Sequence, residues 1–481
     1  MVDTVSQPLS PATDAGLKAK RLGRGGWSWV FFESGRIPQL LLISSFVFVP
    51  YFATVIADSP VHGQSLLAAV GTTVGLGFAL LAPLLGATVD KHGPRKPWLA
   101  ACVVVLAPLL FSLWWARPDQ SGLGMIGILV VLASLNAFGG LADLMFNSMM
   151  PFAVGRRGAA KASGTALALA NVVGVAALIF VLWYFELPGK AHLPGVPAQP
   201  LFGLKHATYE PARIVGPIAA AILLICATPL FLFAPDGPRS GKTLPAAMKE
   251  GFRDLVALLR QAPTVHANLA KYLAARVVYG DAVGAYIGFS GVYAAGVMGW
   301  RGPEMLLFGV FSAVFCGAGA LLGQALDRTL GPRRALIIEI IGMSVFILGE
   351  IGMSQTQILY MAYDPAAHAP LWAGPLFPNV ADLVFLGLTF GAAMMLVATA
   401  ASSRTMLVRL TPRDQVGSVF GLAALTGSAT NWLAPLLIGV FTATWESQQA
   451  GFVPLLILLG LGLVGMLFVR GGDRFVDGKD D

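Results

Sequence analysis

The sequence predicts an all-α polytopic membrane protein, with twelve transmembrane helices in two six-helix bundles. Three observations carry that prediction. Only 12% of the 481 residues are charged and 56% are hydrophobic, with a mean hydropathy of +0.73; soluble chains carry roughly 25% charge. Apolar runs of twenty or more residues recur along the chain, each able to cross a hydrocarbon layer of about 30 Å as a helix. A charged motif also appears twice, at matching places in the two halves.

Taken in order, residues 1–28 form a polar tail whose cations (Lys18, Lys20, Arg21, Arg24) gather towards its end. The apolar run that follows is longer than the 7–15-residue core of a signal peptide, so it reads as an uncleaved first helix. Hydropathy then places spans at 29–57, 64–89, 97–116, 123–153, 162–186 and 212–234 in the first bundle (29–234). A linker at 235–267 leads to spans at 268–298, 304–326, 335–354, 380–408, 416–443 and 451–470 in the second bundle (268–470), and 471–481 form a tail. Pro50, Pro83 and Pro108 fall inside spans. There they mark kinks, since neighbouring helices can satisfy the freed carbonyls. Within the linker, Phe252, Leu255, Val256 and Leu259 fall at i, i+3, i+4 and i+7, the pattern of an amphipathic helix lying on the bilayer surface.

Charge sets the orientation. With the amino terminus cytoplasmic, 23 Lys and Arg fall on the cytoplasmic side, five on the other (Arg117, Lys190, Lys205, Arg213, Arg301) and four within spans (Arg36, Lys271, Arg276, Arg404). That bias follows the positive-inside rule. Both termini are therefore expected in the cytoplasm, with the chain in a bacterial cytoplasmic (inner) membrane. The net charge of +7 is accounted for by topology, so a nucleic-acid partner is not expected.

Enzyme chemistry finds no support in the pattern. Cys102, Cys226 and Cys316 lie far apart in apolar runs and read as small hydrophobes, not as a disulfide framework or metal site. The six histidines are scattered, and there is no GxSxG element, P-loop or ATP-binding domain. No metal or cofactor is expected. The partners expected are a small-molecule substrate, the lipid bilayer, and protons or another coupling ion, for a chain read as a monomer.

The duplication organises the rest. Gly86-x-x-x-Asp90-Lys91-x-Gly93-x-Arg95-Lys96 follows span 2, and Gly323-x-x-x-Asp327-Arg328-x-x-Gly331-x-Arg333-Arg334 follows span 8. "GRRGAAKASGTALAL" before span 5 parallels "LTPRDQVGSVFGLAAL" before span 11, aligning Gly164 with Gly421. Two six-helix halves in parallel repeat are an arrangement of transporters that rock about a midplane site.

The first motif resembles, residue for residue, the loop signature of the major facilitator superfamily, and the second is a weaker echo. A narrower resemblance, to the vacuolar amino-acid effluxer-like branch, rests on "FNSMMP", "YLAARVVYGDAVGAYIGFSGVYAAGVMGW" and "GLAALTGSATNWLAPLLIGVFTATWESQQAGF". That branch opens span 1 on an acidic residue in an aromatic, Asn-bearing segment. Here the segment reads "FFESGRIPQ", with Glu33 in the acidic place and Arg36 as a local addition. The resemblance implies the major facilitator fold, a cavity lined by spans 1, 4, 7 and 10, and secondary transport by alternating access, with export of amino acids first by analogy. It also implies that Asp90 is a latch, meeting the start of a helix from the other half when the cytoplasmic side is closed. A carboxylate there contributes about 0.3–1 kcal/mol when exposed. Asp327 in the echo should matter less.

Ionisable groups at bilayer depth cost about 2.5–3.5 kcal/mol on insertion scales and normally face a cavity or a partner. The candidates are Glu33 and Arg36 in span 1, Asn136, Asp143 and Asn147 in span 4, Arg276 and Asp281 in span 7, and Arg404 in span 10. Asn136, Asp143 and Asn147 share one helix face, and Asp143 is the leading protonatable or substrate-contacting carboxylate. Arg276 and Asp281 point about 140° apart, so one cavity need not hold both. Tyr272, Tyr279, Tyr286 and Tyr293 repeat every seven residues, either as packing or with Tyr279 and Tyr286 on substrate. Arg404 and its counterpart Asn147 suggest either a gate or a snorkelling Arg. Glu339 and Glu350 fall on a peripheral span and are expected against lipid headgroups or neighbouring helices. The rival readings are a drug/proton antiporter and a transporter-shaped assembly factor or sensor. The antiporter fits less well, because span 4 has no Arg and "ANVVGVAALIF" no Pro.

Overall fold

The computed structural model describes residues 22–190, 194–237, 245–250, 267–372, 376–411 and 430–471, with a few single positions between them. The linker's expected amphipathic helix, the first part of span 11 with Gly421, and the side chains of Asp90 and Lys91 lie outside the described residues.

Long apolar stretches become helices because each backbone N–H and C=O must find a partner within the segment once water is gone. In chain order the first half holds α1 (Arg24–Ile56), α2 (Pro60–His92), α3 (Lys96–Trp115), α4 (Gly124–Val154), α5 (Ala162–Glu186) and α6 (Glu210–Phe233). The second half holds α7 (Ala267–Val297), α8 (Gly302–Leu330), α9 (Pro332–Ile351), α10 (Val380–Leu410), α11 (Leu433–Trp445) and α12 (Gln448–Leu467). Among the described residues nine of these are long and apolar enough to cross a membrane. Of the others, α11 is short as described, and α9 carries four charged residues, Arg333, Arg334, Glu339 and Glu350. A two-residue hairpin, β1 (Gln357–Ile358) with β2 (Met361–Ala362), ornaments the loop after α9. Its turn places Leu359 and Tyr360 at positive φ.

The helical run Gly124–Val181 comprises one span, Gly124–Val154, and most of a second, Ala162–Glu186, because the chain reverses within it. Val154 lies beside Gly26 at the start of α1, Asp143 pairs with Arg36 two to three turns further on, and Gly174 is back against Ile37 and Leu41. The expected turn between spans 4 and 5 therefore stands.

The first charged motif is mostly helix, which corrects its reading as a loop. Gly86 and Asp90 belong to the last turns of α2, and Gly323, Asp327 and Arg328 to α8. Only Gly93 (φ 117°) and Gly331 (φ 81°) make the turns, in a region that favours glycine. Asp236, after α6, accepts from the backbone N–H groups of Arg95 and Lys96 at 2.9 Å each, giving the start of α3 the carboxylate its free N–H groups want. Arg95 lies over the Phe152 ring and Lys96 donates to the Phe231 carbonyl at 3.1 Å. Both cations thus brace their own half. Arg333 donates to the Leu467 carbonyl in the second half, whereas Arg328 and Arg334 are exposed.

Small residues set the helix contacts. Gly319 and Gly323 press the backbone of α8 onto Met394 and Ala398 of α10, while Gly71 and Gly75 bring α2 onto Pro435 and Trp432 of α11. Without a hydrophobic drive between helices in lipid, close backbone approach of this kind supplies van der Waals contact. The pairs α2–α11 and α5–α8 form the seam between the halves.

Candidate functional site

A cavity of about 590 Å³ lies on that seam, walled by α1, α2, α4, α7 and α11. Sequence reasoning placed α10 on the cavity as well; the lining has no residue from it, and Arg404 is exposed elsewhere. That expectation came from the family resemblance; α2 and α11 reach the cavity instead, through glycine, proline and apolar residues that carry no chemical signal in the sequence.

The first half places one charged group on this cavity, Asp143, and pairs it with two more from α1. α1 departs from regular α-helix over Leu40–Phe46 and Phe52–Ile56, where wide turns flank Pro50. Pro50 has no N–H to give, and such widened turns often occur at functional sites. One turn before the first of them, Arg36 makes a two-point contact with Glu33, Nε to Oε2 at 3.0 Å and Nη2 to Oε1 at 3.2 Å. Its remaining nitrogen, Nη1, forms an ion pair with Asp143 Oδ1 of α4. Trp29 fixes the register by stacking on Phe146 at 4.4 Å and donating from its indole to the Phe146 carbonyl. Phe146 also lies under the Arg36 guanidinium at 5.9 Å.

This triad carries two carboxylates and one guanidinium. Glu33 keeps 10% of its side chain accessible and Asp143 keeps 40%, so Asp143 is the group the cavity presents. Asn136 and Asn147 line the same wall. The Asn136 amide donates to its own helix at Leu132, which leaves its oxygen to the cavity.

The second half contributes differently. Asp281 lines the cavity, but its Oδ2 accepts the Ala434 N–H at 2.8 Å and so caps α11 from α7. Arg276 is not part of the lining, so the two do not share the cavity. Tyr279 and Tyr286 were candidates for substrate contact, and the structure turns both inward. The Tyr279 hydroxyl meets Ser403 Oγ at 2.8 Å, and Tyr286 donates to Glu350 Oε1 at 2.7 Å. Tyr272 and Tyr293 donate to the carbonyls of Ser403 and Glu350. The seven-residue stripe is therefore packing with satisfied hydroxyls. Glu350 and Glu339 are buried inside the second bundle, Glu339 accepting from Ser402 at 2.8 Å. That overturns lipid headgroups as their neighbours and keeps the neighbouring helices.

Residues that sequence reasoning passed over complete the seam. Gln39, Phe78, Phe289 and Asn431 line the cavity. Beyond it, at the end away from Arg24 and Arg470, Gln64 of α2 donates to Thr442 at 2.8 Å and to the Gln448 carbonyl, and Gln448 donates back to Gln64 at 3.1 Å. Gly291 of α7 admits the Ser45 carbonyl of α1 where a side chain would stand. Glutamines in an apolar segment were the available signal, but their partners lie some 380 residues away.

Solved structures share this architecture. The model superposes on a D-xylose–proton symporter with a TM-score of 0.63 at 14% identity, covering 95% of this chain and 99% of that one. The nucleoside transporter NupG gives 0.59 at 12% identity over 92% and 97%. A bacterial homologue of the human lysosomal transporter Spinster, inward-facing and occupied, gives 0.57 at 13% over 96% and 100%. At such identities the likeness shows the fold alone, the one these transporters share. A search of curated sequences found no match. The family model described as vacuole effluxer Atg22 like matches residues 156–473, about two thirds of the chain, and the protein belongs to that family.

Proposed function

We propose that the protein is a secondary transporter that exports a small, amino-acid-like organic solute by alternating access, coupled to protons. The observation that carries the proposal is the Glu33–Arg36–Asp143 triad, whose Asp143 lines the seam cavity. An ion group held at this depth is costly unless it serves a pathway, and this one faces the space between two halves that can rock. Its net charge of minus one, with Asp143 outermost, suits a solute with an ammonium group. A zwitterion can go further and exchange partners, its ammonium taking Asp143 and its carboxylate taking the guanidinium edge thereby released. Protonation of Asp143 would release the same edge, which is a physical basis for coupling. The family description supports efflux, and the distribution of Lys and Arg supports cytoplasmic termini. The ties at the opposite end of the seam fit a state closed there, with access from the cytoplasm.

The test is a solute screen with purified protein in liposomes, with and without a proton gradient, alongside Asp143→Asn and Glu33→Gln. Transport predicts uptake of an amino-acid-like solute that responds to the gradient and is lost in Asp143→Asn. Folded protein that moves no solute would overturn the reading in favour of an assembly factor or sensor.

A further inference from the structure

Glu186 closes α5 at the end of the seam opposite Arg24 and Arg470. Its carboxylate is buried, at 4% exposure, and occupies the space that a Cβ at Gly302 would need. Gly302 is the first residue of α8, in the other half. The first turn of a helix offers N–H groups without intrahelical partners and a partial positive charge. Pro303 removes one of those donors, and Glu304 turns its own carboxylate back onto the Arg301 N–H at 3.3 Å. Glu186 therefore supplies a negative charge to this terminus from across the seam.

Two cationic or proton-accepting groups stay with Glu186 on its own side. Lys190 Nζ lies 2.7 Å from Oε2, and His206 Nδ1 lies 4.0 Å from the same oxygen, its ring held by the Pro188 carbonyl at 3.0 Å. This arrangement has a consequence for opening. If the halves part here, Glu186 leaves Gly302 but keeps Lys190, so no bare carboxylate is created. The contact can then form and break at a modest cost, set by the helix terminus and by Glu304 of α8, which repels Glu186 and attracts Lys190.

We infer that Glu186 seated on the Gly302 notch is the reversible latch of this end. The inference rests on alternating access as the mode of action. Glycine at 302 is required because any side chain would displace the carboxylate, and charge at 186 is required because a neutral amide gains little from the helix terminus.

Spin labels test it in nanodiscs, with Asp119→Cys and Ala366→Cys reporting the distance between the halves at this end after the three native cysteines are replaced by serine. Glu186→Gln and Gly302→Ala should each raise the ratio of open to closed distances about two- to fivefold, the scale of a carboxylate at a helix terminus. In a Glu186→Ala background, Gly302→Ala should add no further opening, because the obstructed group is gone. Lys190→Gln should shift the ratio less than Glu186→Gln does. Equal opening by Gly302→Ala in both backgrounds, or a wild-type distribution in Glu186→Gln, would overturn the latch. The distances need no solute, so a protein that latches as described but transports nothing would refute the transport reading and leave the latch standing.

Discussion

The two halves use their polar residues in different ways. The first half puts Asp143 on the cavity, with Asn136 and Asn147 beside it and Arg36 and Glu33 paired behind it. The second brings one acid to the cavity, Asp281, tied down as the cap of α11, and buries other acids and hydroxyls in its own bundle, as Tyr286–Glu350, Ser402–Glu339 and Tyr279–Ser403. Even at matching positions the halves differ: Asn147 lines the cavity, while Arg404 stands outside it. Symmetry of fold is therefore not symmetry of chemistry. One half reads as the part that handles charge, the other as a stiff body against which it moves.

The largest effect should come from Arg36→Ala. Removing the guanidinium leaves Glu33 buried beside Asp143 with no cation between them, and breaking such a pair costs about 3–5 kcal/mol. Thermal unfolding in nanodiscs should fall steeply and flux should vanish. Arg36→Lys should restore part of the stability without the two-point geometry.

Asp143→Asn comes next, as a functional loss with modest structural cost. Charged hydrogen bonds contribute about 1.5–3 kcal/mol, so solute affinity should weaken by on the order of tenfold or more, read as KM in liposomes. Tyr286→Phe should do the reverse, lowering thermal stability by ~1 kcal/mol through the lost bond to Glu350 while leaving KM unchanged. A changed KM there would break the division between the halves. The smallest effect belongs to Arg404→Gln, which should alter neither KM nor unfolding temperature measurably, because the side chain is exposed and off the cavity.

Much of this was legible in the sequence, and the limits have physical reasons. Hydropathy sufficed for a helical membrane fold, since twenty-residue apolar runs have few alternatives in a bilayer. Spacing placed Asn136, Asp143 and Asn147 on one face because helix periodicity is local. Arg36 was visible only as an oddity in "FFESGRIPQ". Its meaning depended on a carboxylate 107 positions away, on another helix. The tyrosine stripe announced packing, yet Glu350, its partner, looked peripheral because burial depends on the neighbours of α9. Gln64 and Glu186 were silent for the same reason: a seam between halves joins residues that no periodicity relates.

The central claim is that the triad of the first half handles the solute, while the buried acids of the second only hold it together. It is tested most directly by the pH profile of flux in liposomes for wild type, Asp143→Asn and Glu350→Gln, scaled to folded protein. Loss of flux and of its pH dependence in Asp143→Asn, with both retained in Glu350→Gln, is the result expected. Retention of a wild-type pH profile in Asp143→Asn, with its loss in Glu350→Gln, would contradict it.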